Sequence, residues 1–310
     1  MISIIYVYYN SFDVIVDSIY SVYENEIKEE IEIIVVVNKC NKNKINRLNE
    51  LFPDLIIIIN KDKNTSFAYA NNIGAKIAKG KYLLILNPDT ILEHNVLDKM
   101  YKLMENNSRY GASTCKLTYK NGEIQKTVIR KSHNLQSMIM SIFFIDKIPI
   151  INWLAKPYFY NGNDYLKPQF PKVISGAFMF IRKAVFEKVD GFDENYLVYS
   201  EDNDLSLRIN EISKIYYNPY VTTIHIGASS LGKKKLYERL KIYYGSFFYF
   251  IEKFYGINWQ YFMKIVLKVN GVIFYPLSYL ILNKRLRIFV QTRSKLFVKI
   301  NLSKKRKYFN

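Results

Sequence analysis

Apolar residues fall in short, nearly unbroken blocks through the first third of the chain. Residues 2–9, 31–37 (IEIIVVV), 55–59 (LIIII) and 82–86 (YLLIL) are apolar or aromatic almost throughout. Such runs predict strands buried on both faces, not the alternation of a half-exposed strand. Between them lie helical patterns over roughly 12–25 and 44–51, and a loop entering a helix over 64–79. The last is rich in small residues, Ala68, Ala70, Ala75 and Ala78, and Gly80 stops it. Strand and helix alternate, which predicts an α/β fold with a mostly parallel, doubly wound sheet. Further along, the pattern predicts a helix near 96–106 and extended chain over 112–130 turning at Asn121-Gly122. Residues 131–170 read as an aromatic-rich insertion. A strand over 173–181 is interrupted at Ser175-Gly176, and helices begin near 183 and 202. There is no internal repeat.

The strand 82–86 ends abruptly in Asn87-Pro88-Asp89. The proline stops the ladder and leaves a carboxylate at the carboxyl end of a strand. In open α/β sheets that end is where ligands bind. Two more chemistry-bearing groups also stand at element ends. Glu201-Asp202-Asn203-Asp204 opens a helical pattern, and His225 closes the apolar stretch Val221–Ile224. Acids at a helix start also serve as caps, and a lone histidine is often structural.

Composition changes this picture little at the front and much at the back. The chain has 310 residues and 49% hydrophobic composition, enough for one large domain with an extension. Its two cysteines, Cys40 and Cys115, lack metal-ligand spacing and read as free thiols of a reducing cytoplasm. The opening MISIIYVYYN reads as a first core strand, not a secretory leader. The net charge of +18 is concentrated in residues 233–310, which hold 18 Lys/Arg against Glu238 and Glu252, a net +16. That asymmetry predicts two parts, 1–232 and a basic extension 233–310.

Set in order, several stretches resemble glycosyltransferase family 2, and within it the rhamnosyltransferase-like bacterial branch. They are SIIYVYYNS from Ser3, the segment Glu32–Asn43, NTSFAYANNIG from Asn64, LLILNPDT from Leu83, ISGAFMFIR from Ile174, GFDENYLVYSEDNDLSLR from Gly191, and His225–Ser230. The resemblance covers roughly residues 2–232 and implies a GT-A fold and an inverting, metal-dependent sugar transfer. It implies Asp89 and His225 as ligands of a divalent cation, Mg2+ or Mn2+, and Asp202 as general base, with Glu201 orienting the site or the acceptor. It further implies a nucleotide-sugar site lined by Tyr8, Tyr9, Asn10, Asn38, Asn64, Phe67, Asn71, Asn72, Asn87, Ser175 and Gly176. Asn87 stands where the family's Asp-x-Asp motif often has its first acid, which leaves Asp89 as the motif's one anionic ligand. The implied partners are a dTDP- or UDP-sugar donor and a lipid-linked glycan acceptor at the inner face of a bacterial cytoplasmic membrane. Two rival readings remain at this stage: a binding-only or inactive relative, and a basic membrane-binding module.

The extension carries its own signal. Residues 264–282 (KIVLKVNGVIFYPLSYLIL) are strongly apolar but interrupted by Lys264, Lys268, Asn270 and Pro276. This predicts a helix lying at a membrane surface, not crossing it. Lys284, Arg285, Arg287 and the cluster Lys304-Lys305-Arg306-Lys307 would draw it to anionic lipid. Charge alone also suits nucleic acid, but no nucleic-acid motif accompanies it.

Overall fold

The structure is a computed structural model and describes residues 1–9, 12–38, 41–62, 66–131, 138–139, 142, 160, 162–196, 198–227 and 236–302. Expectations for Asn10, Cys40, Asn64, most of the insertion and the Lys304–Lys307 cluster lie outside these residues. The chain divides into two compact units. The first is Met1–Ser132, Phe159–Asn195 and Glu201–Ser230; the second is 133–158, Tyr196–Ser200 and Leu231–Asn310.

The apolar blocks of the first unit form β1 (Ile2–Tyr8), β2 (Ile31–Val37), β3 (Ile56–Ile59) and β4 (Tyr82–Leu86), all parallel, in the spatial order β3-β2-β1-β4. The crossovers run through α1 (Phe12–Tyr23), α2 (Lys42–Leu51) and α3 (Phe67–Ile77). The chain winds outward from β1 to β3, then returns to place β4 on the other side of β1. The sheet therefore has a switch point between the carboxyl ends of β1 and β4, where a crevice opens for ligands.

The sheet continues with β5 (Thr90–Leu92), α4 (Val96–Glu105), β6 (Tyr110–Thr118), β7 (Ile129–Arg130), β8 (Val173–Ile174), β9 (Phe178–Arg182), α5 (Lys183–Lys188), α6 (Glu201–Ile212) and β10 (Lys214–His225). Eight strands lie in the order β3-β2-β1-β4-β9-β6-β10-β5, and β7 pairs with β8 separately. The sheet is mixed, because β9 runs antiparallel to both β4 and β6, and β5 runs antiparallel to β10. Its inner residues, Ile4, Ile5, Val35, Val36, Leu84, Ile85, Phe180 and Ile181 among them, are buried in one hydrophobic core.

Strand β10 is the largest departure from the sequence pattern. Only its end, Val221–Ile224, was apolar enough to stand out. Its pairing with β6 shifts register between Asn218 and Thr222, around Pro219. A proline cannot donate to the ladder, so the strand bulges there and its alternation is lost.

The second unit contains α7 (Leu236–Tyr255), α8 (Ile257–Leu277), a 3-10 turn (Ser278–Leu280) and α9 (Lys284–Val298). The apolar run read as 264–282 is thus the body of a longer helix plus the turn after it. Pro276 lies in the last turn of α8. A Cβ at Gly271 would lie 2.7 Å from the Phe297 Cβ and 2.9 Å from the Ser294 carbonyl oxygen. The absent side chain therefore lets α8 and α9 cross closely.

Gly80 has a similar role in the first unit. Its N–H donates to Ser3 Oγ at 2.8 Å, and a Cβ there would lie 2.6 Å from the Ser3 backbone nitrogen. Backbone cannot yield as a flexible side chain can. Gly80→Ala is expected to destabilise the first unit by about 1–3 kcal/mol, as overpacking does. Thermal unfolding checks this, with a fall of about 2–4 °C expected per kcal/mol.

Candidate active site

Two corners face the switch point. The first is built from β4, β5 and β10. Antiparallel pairing sets His225 opposite Thr90, and the Ile226 N–H donates to the Asp89 carbonyl at 2.8 Å. The side chains follow the backbone: His225 Nε2 lies 3.2 Å from Asp89 Oδ1. Both expected metal ligands thus stand together.

Gln125 orients the histidine, and sequence reasoning did not single it out. Its Nε2 donates to the His225 carbonyl at 2.5 Å, and its Oε1 lies 2.8 Å from His225 Nδ1. A carbonyl oxygen can only accept, so the amide orientation follows. Oε1 must then face Nδ1, and Nδ1 must carry the proton. In its neutral form such a ring would turn the Nε2 lone pair toward the Asp89 carboxylate. Two electron-rich groups at that distance call for a cation or a proton between them. The pair therefore fits a divalent cation as a two-ligand corner, with an outer partner fixing the tautomer. Among the described residues, no cluster of three or more His, Cys, Asp or Glu side chains is suited to holding a metal ion. Further ligands would come from the substrate or from water.

The second corner is the start of α6. Glu201, Asp202 and Asp204 occupy its first turn, where the helix dipole favours negative charge. Tyr199 and Ser200, just before it, have φ of 73° and 70°, a left-handed conformation that non-glycine residues rarely adopt. Asp202 Oδ2 accepts from Arg130 Nη2 at 2.5 Å and from the Gly176 N–H at 3.3 Å; Oδ1 accepts from the Asn203 N–H at 2.8 Å. Arg130 reaches it because β7 pairs with β8, setting Arg130 opposite Val173. Glu201 has the opposite environment. It is buried, and its Oε2 has no hydrogen-bond partner. Burial, then the neighbouring Asp202 charge, push its carboxyl up to about 8. Asp204 is buried and paired with Arg208 Nε at 2.5 Å.

Ser175, Gly176 and Ala177 join the corners. The Gly176 N–H holds Asp202, while the Ala177 carbonyl accepts from the Asn87 N–H at 3.1 Å and from Thr90 Oγ1 at 3.3 Å. Ser175 Oγ accepts from the Ala177 N–H. A Cβ at Gly176 would touch the Phe67 ring at 3.4 Å and the Asp202 Cβ at 3.7 Å. Phe67, Gly176 and Asp202 thus share one wall.

The expected nucleotide side lies at the ends of β1 and β2. Tyr8 is buried, Tyr9 is exposed, and the Asn38 N–H donates to the Tyr8 carbonyl at 2.9 Å. Asn38 Oδ1 accepts from Asn60 Nδ2 at 2.7 Å; Asn60 Oδ1 accepts from the Asp62 N–H at 2.9 Å; Asp62 accepts from the Tyr69 hydroxyl. Asn60 and Asp62 follow the end of β3, the same positional signal that marked Asn38 and Asp89, and could have been found by it. Asn71 and Asn72 engage the protein itself. Asn71 is buried, with Nδ2 on the Phe67 carbonyl. Asn72 clamps the Gly191-Phe192 turn, donating to the Phe192 carbonyl and accepting from its N–H, both at 2.9 Å.

Comparison with known proteins agrees with this architecture. Residues 3–189 match the profile of the family described as Glycosyl transferase family 2. The chain belongs to that family. The matched stretch includes Asp89 and ends before Asp202 and His225. Rhamnosyltransferase WbbL of Escherichia coli K12 is 30% identical over 179 residues, 51% of this chain and 60% of that protein. O-antigen biosynthesis protein RfbC of Myxococcus xanthus is 25% identical over 190 residues, 58% of this chain and 13% of that protein. N-acetylglucosaminyl-diphospho-decaprenol L-rhamnosyltransferase of Mycobacterium tuberculosis H37Rv is 36% identical over 61 residues, 19% of this chain and 20% of that protein. The similarity therefore spans at most 60% of these relatives' lengths. In structure, the chain is similar to GalNAc-T7, solved with UDP, GalNAc and Mn2+. The TM-score is 0.56 at 16% identity, over 78% of this chain and 48% of that one. The fold is GT-A-like, a mixed α/β sheet with a helical C-terminal extension.

The Glu201 environment has a pH signature. Its folded-state carboxyl titrates above the unfolded one, so the unfolded chain ionises first. Its contribution to stability is full below about 4.5 and is lost as pH rises toward about 8. Glu201→Gln removes that dependence. The variant should gain thermal stability relative to the parent between pH 5 and pH 8; a gap that stays constant over this range would show Glu201 ionised throughout.

Proposed function

We propose that this protein is an inverting, metal-dependent glycosyltransferase. It moves a sugar, rhamnose or a close relative, from a dTDP- or UDP-linked donor to a lipid-linked, growing bacterial surface glycan such as O-antigen, capsule or cell-wall polysaccharide. The observation that carries the reading is the pairing of the Asp89–His225 corner with Asp202 through the backbone of Gly176 and Ala177. Family membership, the GT-A-like fold and the activities for which the bacterial relatives are named support it. The diphospho-decaprenol acceptor named for the mycobacterial relative supports a prenyl-linked acceptor.

In this reading Asp89 and His225 hold Mg2+ or Mn2+, with Gln125 keeping the Nε2 lone pair on that side. The bound cation neutralises charge developing on the departing diphosphate. Asp202 accepts the proton of the attacking acceptor hydroxyl, which is otherwise a poor nucleophile. One base opposite one leaving group gives a single displacement, with inversion at the anomeric carbon. Glu201, kept protonated by burial, offers a hydrogen bond to the acceptor. Tyr8, Tyr9 and Asn38 line the nucleotide side, with Asn60 and Asp62 behind Asn38.

A second reading has one observation in its favour: Asp202 is already paired with Arg130 at 2.5 Å. A base held by a guanidinium would suit a relative that binds donor without turnover. Kinetics separate the two. Asp202→Asn should lower kcat by about 10²–10⁴-fold while donor affinity is kept. Asp89→Ala should abolish Mn2+-dependent donor binding. A parent chain without turnover, across a thermal-shift-selected panel of nucleotide sugars, would establish the binding-only reading.

Gln125 gives an independent check on the metal corner. Gln125→Leu should weaken Mn2+ affinity by about 10–100-fold in the presence of UDP or dTDP, read by electron paramagnetic resonance of free Mn2+. Gln125→Glu, which keeps an acceptor for Nδ1, should lose less.

A further inference from the structure

Helix α8 has its polarity turned inside out. Gln260, Lys264 and Asn270 are fully buried within the second unit. The opposite face carries Trp259, Phe262, Ile265, Val269, Val272, Ile273 and Leu277, all exposed, from 37% at Ile265 to 59% at Val272. These positions recur every three or four residues and make one continuous stripe. At about 1.5 Å per residue the stripe is roughly 27 Å long. The turn beyond it continues the surface, with Leu280 at 78% and Leu282 at 97% exposure.

The buried polar side chains have reasons to face inward. Gln260 Nε2 donates to Glu252 Oε2 at 2.7 Å. Asn270 Nδ2 donates to the Ile142 carbonyl at 3.0 Å, and Asn270 Oδ1 accepts from Arg293 Nη2 at 3.3 Å. The Lys264 ammonium lies over the Phe248 ring, 5.9 Å from its centre. The helix is therefore anchored in this orientation, and its apolar stripe is left facing outward. Water is a poor solvent for so long a stripe.

We propose that this face is a membrane-docking surface, which lies in the plane of an anionic bilayer with the stripe among the acyl chains. The charge around it selects that occupant. Residues 253–302 hold nine Lys/Arg and no acid; Lys264 and Arg293 of these are buried, while Lys284, Arg285 and Arg287 follow the Leu280–Leu282 tip directly and reach the surface. Anionic headgroups match such a rim. A second copy of this chain does not, because pairing the faces would set the cationic rims against each other. Trp259 near one end of the stripe and Tyr275 and Tyr279 near the other are amphipathic aromatics, suited to the headgroup boundary. Among the described residues no helix is long and apolar enough to cross a membrane. One apolar face, with polar anchors behind it, is the geometry of a helix that lies on a bilayer.

The inference rests on the preceding reading only for why a bilayer would be at hand, so its test uses neither donor nor acceptor. The full chain carrying Trp153→Phe, with Trp259 as its one tryptophan, is mixed with phosphatidylcholine vesicles with and without phosphatidylglycerol. We expect flotation with the anionic vesicles, a blue shift of Trp259 emission and quenching by brominated acyl chains. Leu280→Asp/Leu282→Asp, at exposed positions, should lower partitioning about tenfold or more without lowering the melting temperature. Lys284→Glu/Arg285→Glu/Arg287→Glu should do the same through charge. Asp202→Asn should float like the parent, so loss of sugar transfer and loss of docking are separable. Failure to float, or flotation with Trp259 unshifted and unquenched, overturns the proposal. So does a concentration-dependent dimer that Leu280→Asp/Leu282→Asp abolishes.

Discussion

The site depends on one constraint, the register of β9 against β4. Antiparallel pairing of Leu86 with Phe178 brings the backbone before β9 alongside the end of β4. From there the Ala177 carbonyl holds Asn87 and Thr90, and the Gly176 N–H holds Asp202. A slip of one residue would turn every β9 side chain to the other face of the sheet. Phe178, Met179, Phe180 and Ile181 are all fully buried, so that slip would expose or clash a whole run of the core. The chemistry at the rim is thus fixed by packing beneath it. The same logic governs the other side of the corner, where pairing of His225 with Thr90 places the imidazole beside Asp89.

Adjacent carboxylates at the start of α6 acquire different character from their surroundings alone. Asp202 is partly exposed and is met by a guanidinium and two backbone N–H groups. Glu201 is buried, beside that charge, with one oxygen unpartnered. Desolvation and like-charge repulsion both favour its neutral form. One residue of sequence separates a group suited to accepting a proton from one suited to donating a hydrogen bond. The segment 125–130 supports both corners, with Gln125 on His225 and Arg130 on Asp202.

Strands β1, β2 and β4 were legible in the sequence because they are buried on both faces and so read as apolar runs, and the half-buried edge strand β3 reads as apolar too. Strand β5 was not, since three residues carry no periodicity, while β7 and β8 fall within the stretches that read as extended, 112–130 and 173–181. Asp89, Asp202 and His225 were legible because each terminates an element, and termini at one edge of a parallel sheet converge. Gln125 and Arg130 carry no such mark. Their partners lie 100 and 72 residues away, and only the bends after β6 and the β7–β8 pairing bring them there. Asn71 and Asn72 were marked in another way. The family resemblance implied donor contacts for them; in the structure Asn71 bonds within its helix and Asn72 across to the Phe192 turn.

The extension shows what a linear reading of polarity leaves out. Along the sequence, Lys264, Lys268 and Asn270 interrupt an apolar run and weaken its resemblance to a membrane segment. On the helix, Lys264 and Asn270 face inward, and Lys268 Nζ donates to the Ile300 carbonyl at 3.3 Å. The interruptions are the attachment of α8 to its own unit. Gly271 permits that attachment to be close, because a side chain there would strike α9. With Gln260, Lys264 and Asn270 committed inward, the helix presents mainly apolar side chains along its outer stripe. A helix whose polar groups faced outward would need nothing more than water. This one needs an apolar medium beside a cationic rim, and a bilayer with anionic headgroups supplies both.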